Sequence, residues 1–117
     1  MALSFTWLAG DFATAGQLSI DDVAEAAAAG FRSIVNNRPD FEGGPSQPTS
    51  QAMQQAADAA GLSYAYLPVQ SAFQTPAEQA RMHELMQSLP KPVLGFCRSG
   101  TRTGSLFRAA GALGKRE

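Results

Sequence analysis

The sequence predicts an α/β domain of three layers, a mainly parallel sheet of about four strands with helices on both faces. Three observations carry that reading. Strand and helix signals alternate along the whole chain, the helical stretches stop at glycine or proline, and successive strands are separated by helices, which calls for crossover connections. With 117 residues, 44% hydrophobic and 16% charged, the chain is expected to form one domain over 1–117.

Phe5-Thr6-Trp7-Leu8 reads as a weak first strand, followed by a turn-like Ala15-Gly16-Gln17. Ser19 with Asp22 three residues later resembles a capping box, and Ile20, Val23, Ala24 and Ala27 recur at helical spacing until Gly30 ends the helix. Phe31 to Val35 is the second strand. Its exit, Asn36-Asn37-Arg38-Pro39-Asp40, opens a Gly/Pro/Ser-rich loop that reaches Pro48. A second helix over roughly Ser50 to Ala60 carries Met53, Ala56 and Ala60 on one face and stops at Gly61. Leu62 to Val69 is the third strand, with Pro68 marking an end unpaired on one side. Thr75 caps the third helix, Pro76 suits its first position and Glu78 closes the box. Met82, Leu85, Met86 and Leu89 form its buried stripe before Pro90 and Pro92. Val93 to Phe96 is the fourth strand. The last helix starts near Thr103 and turns Leu106, Phe107, Ala110 and Leu113 inward.

Ligands of such sheets sit beyond the carboxyl ends of the strands. Asn36-Asn37-Arg38, Val69-Gln70-Ser71 and Cys97 are therefore expected on one rim. The run Cys97-Arg98-Ser99-Gly100-Thr101-Arg102, between a strand and a helix, reads as an anion cradle built around a nucleophile. A lone cysteine is by default a small buried hydrophobe. The strand before it, the glycine within the loop, the arginines after it and the helix beyond are what a reactive thiolate needs, because helix N-termini and arginines lower a thiol pKa. Cys97 and Arg102 are the candidate catalytic residues. Arg98, Ser99, Gly100, Thr101 and Thr103 are assigned to substrate binding, together with Arg38 and Asp40 from the neighbouring strand exit. Asp40 and Glu42 could reach the rim as a general acid, against the competing role of a solvated loop acid, and for Arg38 the competing role is a structural turn. His83 lies away from this rim, on the third helix, and Trp7 and Phe12 are read as packing residues.

Net charge is −1, which argues against nucleic acid as a general partner. The distribution is uneven: residues 1–30 hold four acids and no base, residues 91–117 six bases and one acid. That excess around Cys97 should attract a small anion. One cysteine rules out an internal disulfide and a Cys-rich zinc site, so no metal or cofactor is expected and a reducing, cytoplasmic setting fits. No signal-peptide n-region or membrane-length apolar stretch is present, so no membrane partner is expected.

The motifs NNRPD at 36–40 and CRSGTR at 97–102, in this order of elements, resemble the bacterial phosphatase-like domain named after beta-lactamase hydrolase-like proteins. The resemblance covers nearly the whole chain. It implies the protein tyrosine/dual-specificity phosphatase fold, and, through members fused to a metallo-beta-lactamase-type dioxygenase, a link to sulfide and persulfide metabolism. Phosphatases of that fold resemble one another in a His-Cys pair and an arginine six residues after the cysteine, but here Phe96 precedes Cys97, Thr103 is sixth and Arg102 fifth. The shorter loop is similar to the six-residue active loop of single-domain rhodaneses, which carry sulfur as a cysteine persulfide. Dual-specificity phosphatases usually place an aspartate after the third strand, where this chain has Gln70, Ser71 and Ala72. The favoured expectation is a sulfane-sulfur transferase working through a Cys97 persulfide, with a sulfane-sulfur donor and a thiol acceptor as partners. The alternatives are a cysteine-dependent phosphomonoester hydrolase and a non-catalytic anion-sensing module.

Overall fold

The computed structural model describes residues 3–71 and 73–114. Its elements are β1 (Thr6–Ala9), β2 (Phe12–Ala15), α1 (Ile20–Ala28), β3 (Ser33–Asn36), α2 (Ser50–Ala59), β4 (Ser63–Tyr66), α3 (Pro76–Ser88), β5 (Val93–Phe96) and α4 (Thr101–Gly114). The strands form one five-stranded sheet in the order β1-β2-β5-β3-β4. Only the β1–β2 pair is antiparallel; β2–β5, β5–β3 and β3–β4 are parallel.

The α/β reading therefore stands, with five strands where about four were expected. The additional strand is β2. Its sequence, FATA, sets two alanines among its strand-favouring Phe and Thr, and it is buried on both faces, so no clear alternation betrays it. The sequence reading also ran the third strand on to Val69, whereas β4 stops at Tyr66. Beyond it the chain stays extended, and Leu67 and Val69 donate to the carbonyls of Asn36 and Asn37.

Side chains alternate across the sheet. Ala13, Ala15, Ile34, Leu94 and Phe96 meet Val23 and Ala26 of α1 and Met53 and Ala57 of α2 on one face. Phe12, Val35 and Val93 meet Met82 of α3 and Leu106 and Ala110 of α4 on the other. On α1 the buried residues are Val23 and Ala26, while Ile20 and Ala24 of the expected stripe face outward. On α3 Met82 and Leu85 are buried, and Met86 and Leu89 only partly. The capping boxes at Ser19 and Thr75 are both formed, each hydroxyl accepting the N–H of the acid three residues on and each carboxylate accepting the cap residue's own N–H.

The chain leaves β3 toward α2 on one face and leaves β5 toward α4 on the other. Neighbouring strands that send the chain to opposite faces open a crevice at their carboxyl ends. Asn36-Asn37 and Cys97 flank that crevice. Among the described residues no helix is long and apolar enough to cross a membrane.

Candidate active site

Two glycines shape the loop that holds Cys97. At Gly95 an added Cβ would lie 2.7 Å from Thr103 Cγ2 and 2.8 Å from Phe12 Cζ, so only glycine lets α4 approach β5 this closely. Gly100 sits at φ 92°, in the left-handed region open chiefly to glycine. The chain consequently reverses within Arg98-Ser99-Gly100. Helix α4 begins at Thr101, two residues earlier than the expected Thr103, which places Thr101 and Arg102 in its first turn.

The reversal aims backbone donors at sulfur. Gly100 N–H lies 3.1 Å from Cys97 Sγ. Burial pushes the thiol up, but the N–H groups of Thr103, Ser99 and Gly100, with the Thr103 hydroxyl, outweigh it and hold Cys97 below its usual value of 9.0. The Thr103 hydroxyl has one proton, and Asn37 Oδ1 accepts it at 2.9 Å. The backbone N–H groups are therefore the lasting donors to the thiolate. Asn37 is itself pinned, its Nδ2 donating to Leu67 O at 2.8 Å and its N–H to Phe96 O at 2.8 Å.

Arg102 and Glu42 form a two-point ion pair. Arg102 Nη1 and Nη2 donate to Glu42 Oε2 and Oε1 at 2.8 and 2.7 Å, and Nη1 also reaches Val69 O at 2.9 Å. Arg38 Nε donates to Glu42 Oε1 at 2.9 Å, and its Nη1 to Gln17 Oε1 at 3.1 Å. Arg102 lowers Glu42 most; despite the opposing effect of burial, and with Arg38 adding to it, the carboxyl falls to about 2. Arg102 is raised in turn, chiefly by Glu42 against the effect of burial, with Cys97 contributing. A groove of about 610 Å³ opens beside the pair, lined by Arg38, Glu42, Gly43, Gln70, Arg98 and Arg102. Cys97 itself is buried, so a donor must shift neighbouring side chains to reach it.

The sequence-derived candidates divide accordingly. Cys97, Gly100, Arg102 and Thr103 meet around the sulfur, and Arg38 and Arg98 line the groove. Ser99 contributes its N–H, while its hydroxyl donates to Thr101 Oγ1 at 3.2 Å. Asp40 is turned to other work: Oδ1 accepts the Ser50 N–H at 2.8 Å at the start of α2, and its own N–H donates to Tyr66 Oη at 2.9 Å. Glu42, weighed as a stand-in general acid or a solvated loop acid, is the carboxylate that joins the arginines. Gly95 and Gln17 carry no expectation, and Asn37 is expected on the rim without a role. A strand glycine before a reactive loop is a legible sign of close approach, but no local signal marks Asn37 or Gln17, whose partners are remote in sequence.

Residues 4–114 match the model of the family described as beta-lactamase hydrolase-like protein, phosphatase-like domain. The chain belongs to this family. It is 38% identical over 99 residues to the beta-lactamase hydrolase-like protein of Agrobacterium fabrum (strain C58 / ATCC 33970), covering 85% of this chain and 23% of that one. The chain thus spans about a quarter of the curated relatives it matches. A candidate phosphatase of Neisseria meningitidis Z2491 superimposes with a TM-score of 0.83 at 27% identity, over 96% of this chain and 79% of that one. One of Shewanella putrefaciens CN-32, with a TM-score of 0.79 at 17% identity over 99% and 76%, shares the fold. The phosphatase-like fold expected from the two motifs is therefore the observed one, and the family supports a cysteine-based enzyme.

Proposed function

We propose that the domain is a sulfane-sulfur transferase. One observation carries the reading: Glu42, the acid beside the arginines, is not free to protonate a leaving oxygen. Glu42 is held ionised between Arg102 and Arg38, and the Asp40 carboxylate accepts an N–H of α2. Phosphoester cleavage gains from a general acid at that point, whereas sulfite or a thiolate leaves as a stable anion. The Cys97 thiolate attacks the outer sulfur of thiosulfate or an organic persulfide. The S–S bond breaks, the leaving group departs with the electron pair, and Cys97 keeps the sulfur as a persulfide. An acceptor thiolate then takes that outer sulfur and restores Cys97. Arg102, Arg98 and the loop N–H groups hold the anion meanwhile. A sulfane-sulfur donor and a thiol acceptor are the partners, no metal or cofactor enters the step, and a reducing compartment such as the cytoplasm suits it.

A second reading, hydrolysis of a phosphomonoester through a phosphocysteine, is favoured by the likeness to the Neisseria candidate phosphatase. Intact-mass spectrometry separates the two. After incubation with thiosulfate, a gain of about 32 Da, absent in Cys97→Ser and discharged by a thiol, is expected. Brisk Cys97-dependent release of phosphate from an aryl phosphate with no sulfur adduct would reverse the ranking, and neither signal would point to an anion-sensing module.

A further inference from the structure

Beside the arginine groove lies a second trough of about 430 Å³, walled by Pro39, Tyr66, Pro68 and Phe73 and reaching Glu78 of α3. Gln70 lines both spaces, which makes them neighbours. We propose that this trough is a subsite for the apolar or aromatic body of an organic sulfur donor whose anionic end enters the arginine groove; the proposal rests on the reading of that groove as the donor site.

Exposed apolar surface supports it. Among the described residues the exposed large hydrophobic side chains are Trp7, Ile20, Phe41, Tyr66 and Phe73, and Phe73, at 92%, is the most exposed. Trp7 has a packing explanation, its ring stacked 5.2 Å from Phe31. Among the described residues Tyr66 and Phe73 have no such ring partner, and both line the trough.

Hydrogen bonds hold the Tyr66 side chain and the Phe73 backbone. Tyr66 Oη accepts the Asp40 N–H at 2.9 Å, and Asp40 is tied in turn to α2. Ser71 Oγ accepts the Phe73 N–H at 3.1 Å, and Gln74 Nε2 donates to Ser71 O at 2.7 Å. A volume of this size admits a small organic ligand, with Pro39, Tyr66, Pro68 and Phe73 offering apolar surface among the polar Gln70, Ser71, Thr75 and Glu78.

Charge sets the ligand's direction. Three arginines line the groove, whereas Glu78 is the ionisable side chain among the acids and bases lining the trough, and no base lines it among the described residues. An anion at both ends is thereby disfavoured, and a molecule anionic at the sulfur end and neutral elsewhere fits both spaces.

Unreactive sulfonates test the subsite without any turnover, through protection of Cys97 from iodoacetamide. Benzenesulfonate should protect at a concentration about tenfold below that of methanesulfonate, since burying a phenyl ring is worth at least that factor. Phe73→Ala should abolish most of this preference, and Phe41→Ala, an exposed aromatic lining neither space, should keep it. In turnover, benzenethiosulfonate should outrun methanethiosulfonate in the same proportion, and Phe73→Ala should remove the advantage while thiosulfate is used as before. Equal protection by the two sulfonates, or an aryl preference that survives Phe73→Ala, would overturn the subsite. Aryl-selective protection without sulfur transfer would overturn the transferase reading and leave the subsite standing.

Discussion

Cys97 is subject to two opposing influences, a buried position that disfavours its anion and a ring of backbone N–H groups that favours it. The second prevails, and it comes from the path of the chain more than from side-chain identity. Following iodoacetamide alkylation against pH should give a midpoint below the 9.0 of an ordinary thiol. A midpoint at or above that value would remove the thiolate from every mechanism considered for this site. The lowered thiol was readable from CRSGTR, because a strand, a glycine, arginines and a helix in that order specify an anion-binding turn. The bond from Thr103 to Asn37 was not, since these residues stand 66 positions apart and meet only when β3 and β5 are neighbours.

At the scale of elements, the placement of α4 against β5 decides where the cradle lies, and Gly95 permits it. Gly95→Ala would drive a methyl group into Thr103 Cγ2 and Phe12 Cζ, both nearer than 3 Å. Overpacking of this kind costs about 1–3 kcal/mol. Because Thr103 supplies an N–H to the sulfur, the same change should raise the Cys97 alkylation midpoint. Chemical denaturation and the alkylation profile of the variant check the two effects, and a variant as stable as the parent with an unchanged midpoint would show that the contact is not tight. Helix limits were the most legible feature at this scale, because Ser19, Thr75 and Pro76 are local signals that complete their bonds within one turn. β2 escaped notice because a four-residue strand buried on both faces carries no clear alternation.

Across the whole molecule, one carboxylate ties together segments that are distant in the chain. Glu42 joins Arg38 after β3 to Arg102 on α4, Arg102 reaches Val69 after β4, and Arg38 reaches Gln17 after β2. The network has a defined pH dependence. Glu42 falls from 4.5 in the unfolded chain to about 2 in the folded one, so its stabilising contribution is complete above 4.5 and is lost as pH drops toward 2. Partial exposure of the pair tempers the magnitude. In urea melts, wild type should exceed Glu42→Gln in stability near pH 7, and the gap should close between about 4.5 and about 2. A gap that does not change with pH would mean that Glu42 contributes packing and not charge.

The sequence by itself determined the alternation of helices and strands, the caps, and the loop that holds Cys97, since each depends on residues within a few positions of one another. It also placed Arg102 beside the nucleophile, through the short spacing of CRSGTR. Tertiary structure alone decided that β2 joins the sheet beside β5, that Asp40 serves α2, and that Glu42 is the partner of Arg102 across 60 positions. The physical reason is reach. Capping and turn chemistry act over three or four residues, but a carboxylate finds its arginine only after two crossovers have brought the ends of β3, β4 and β5 to the same rim.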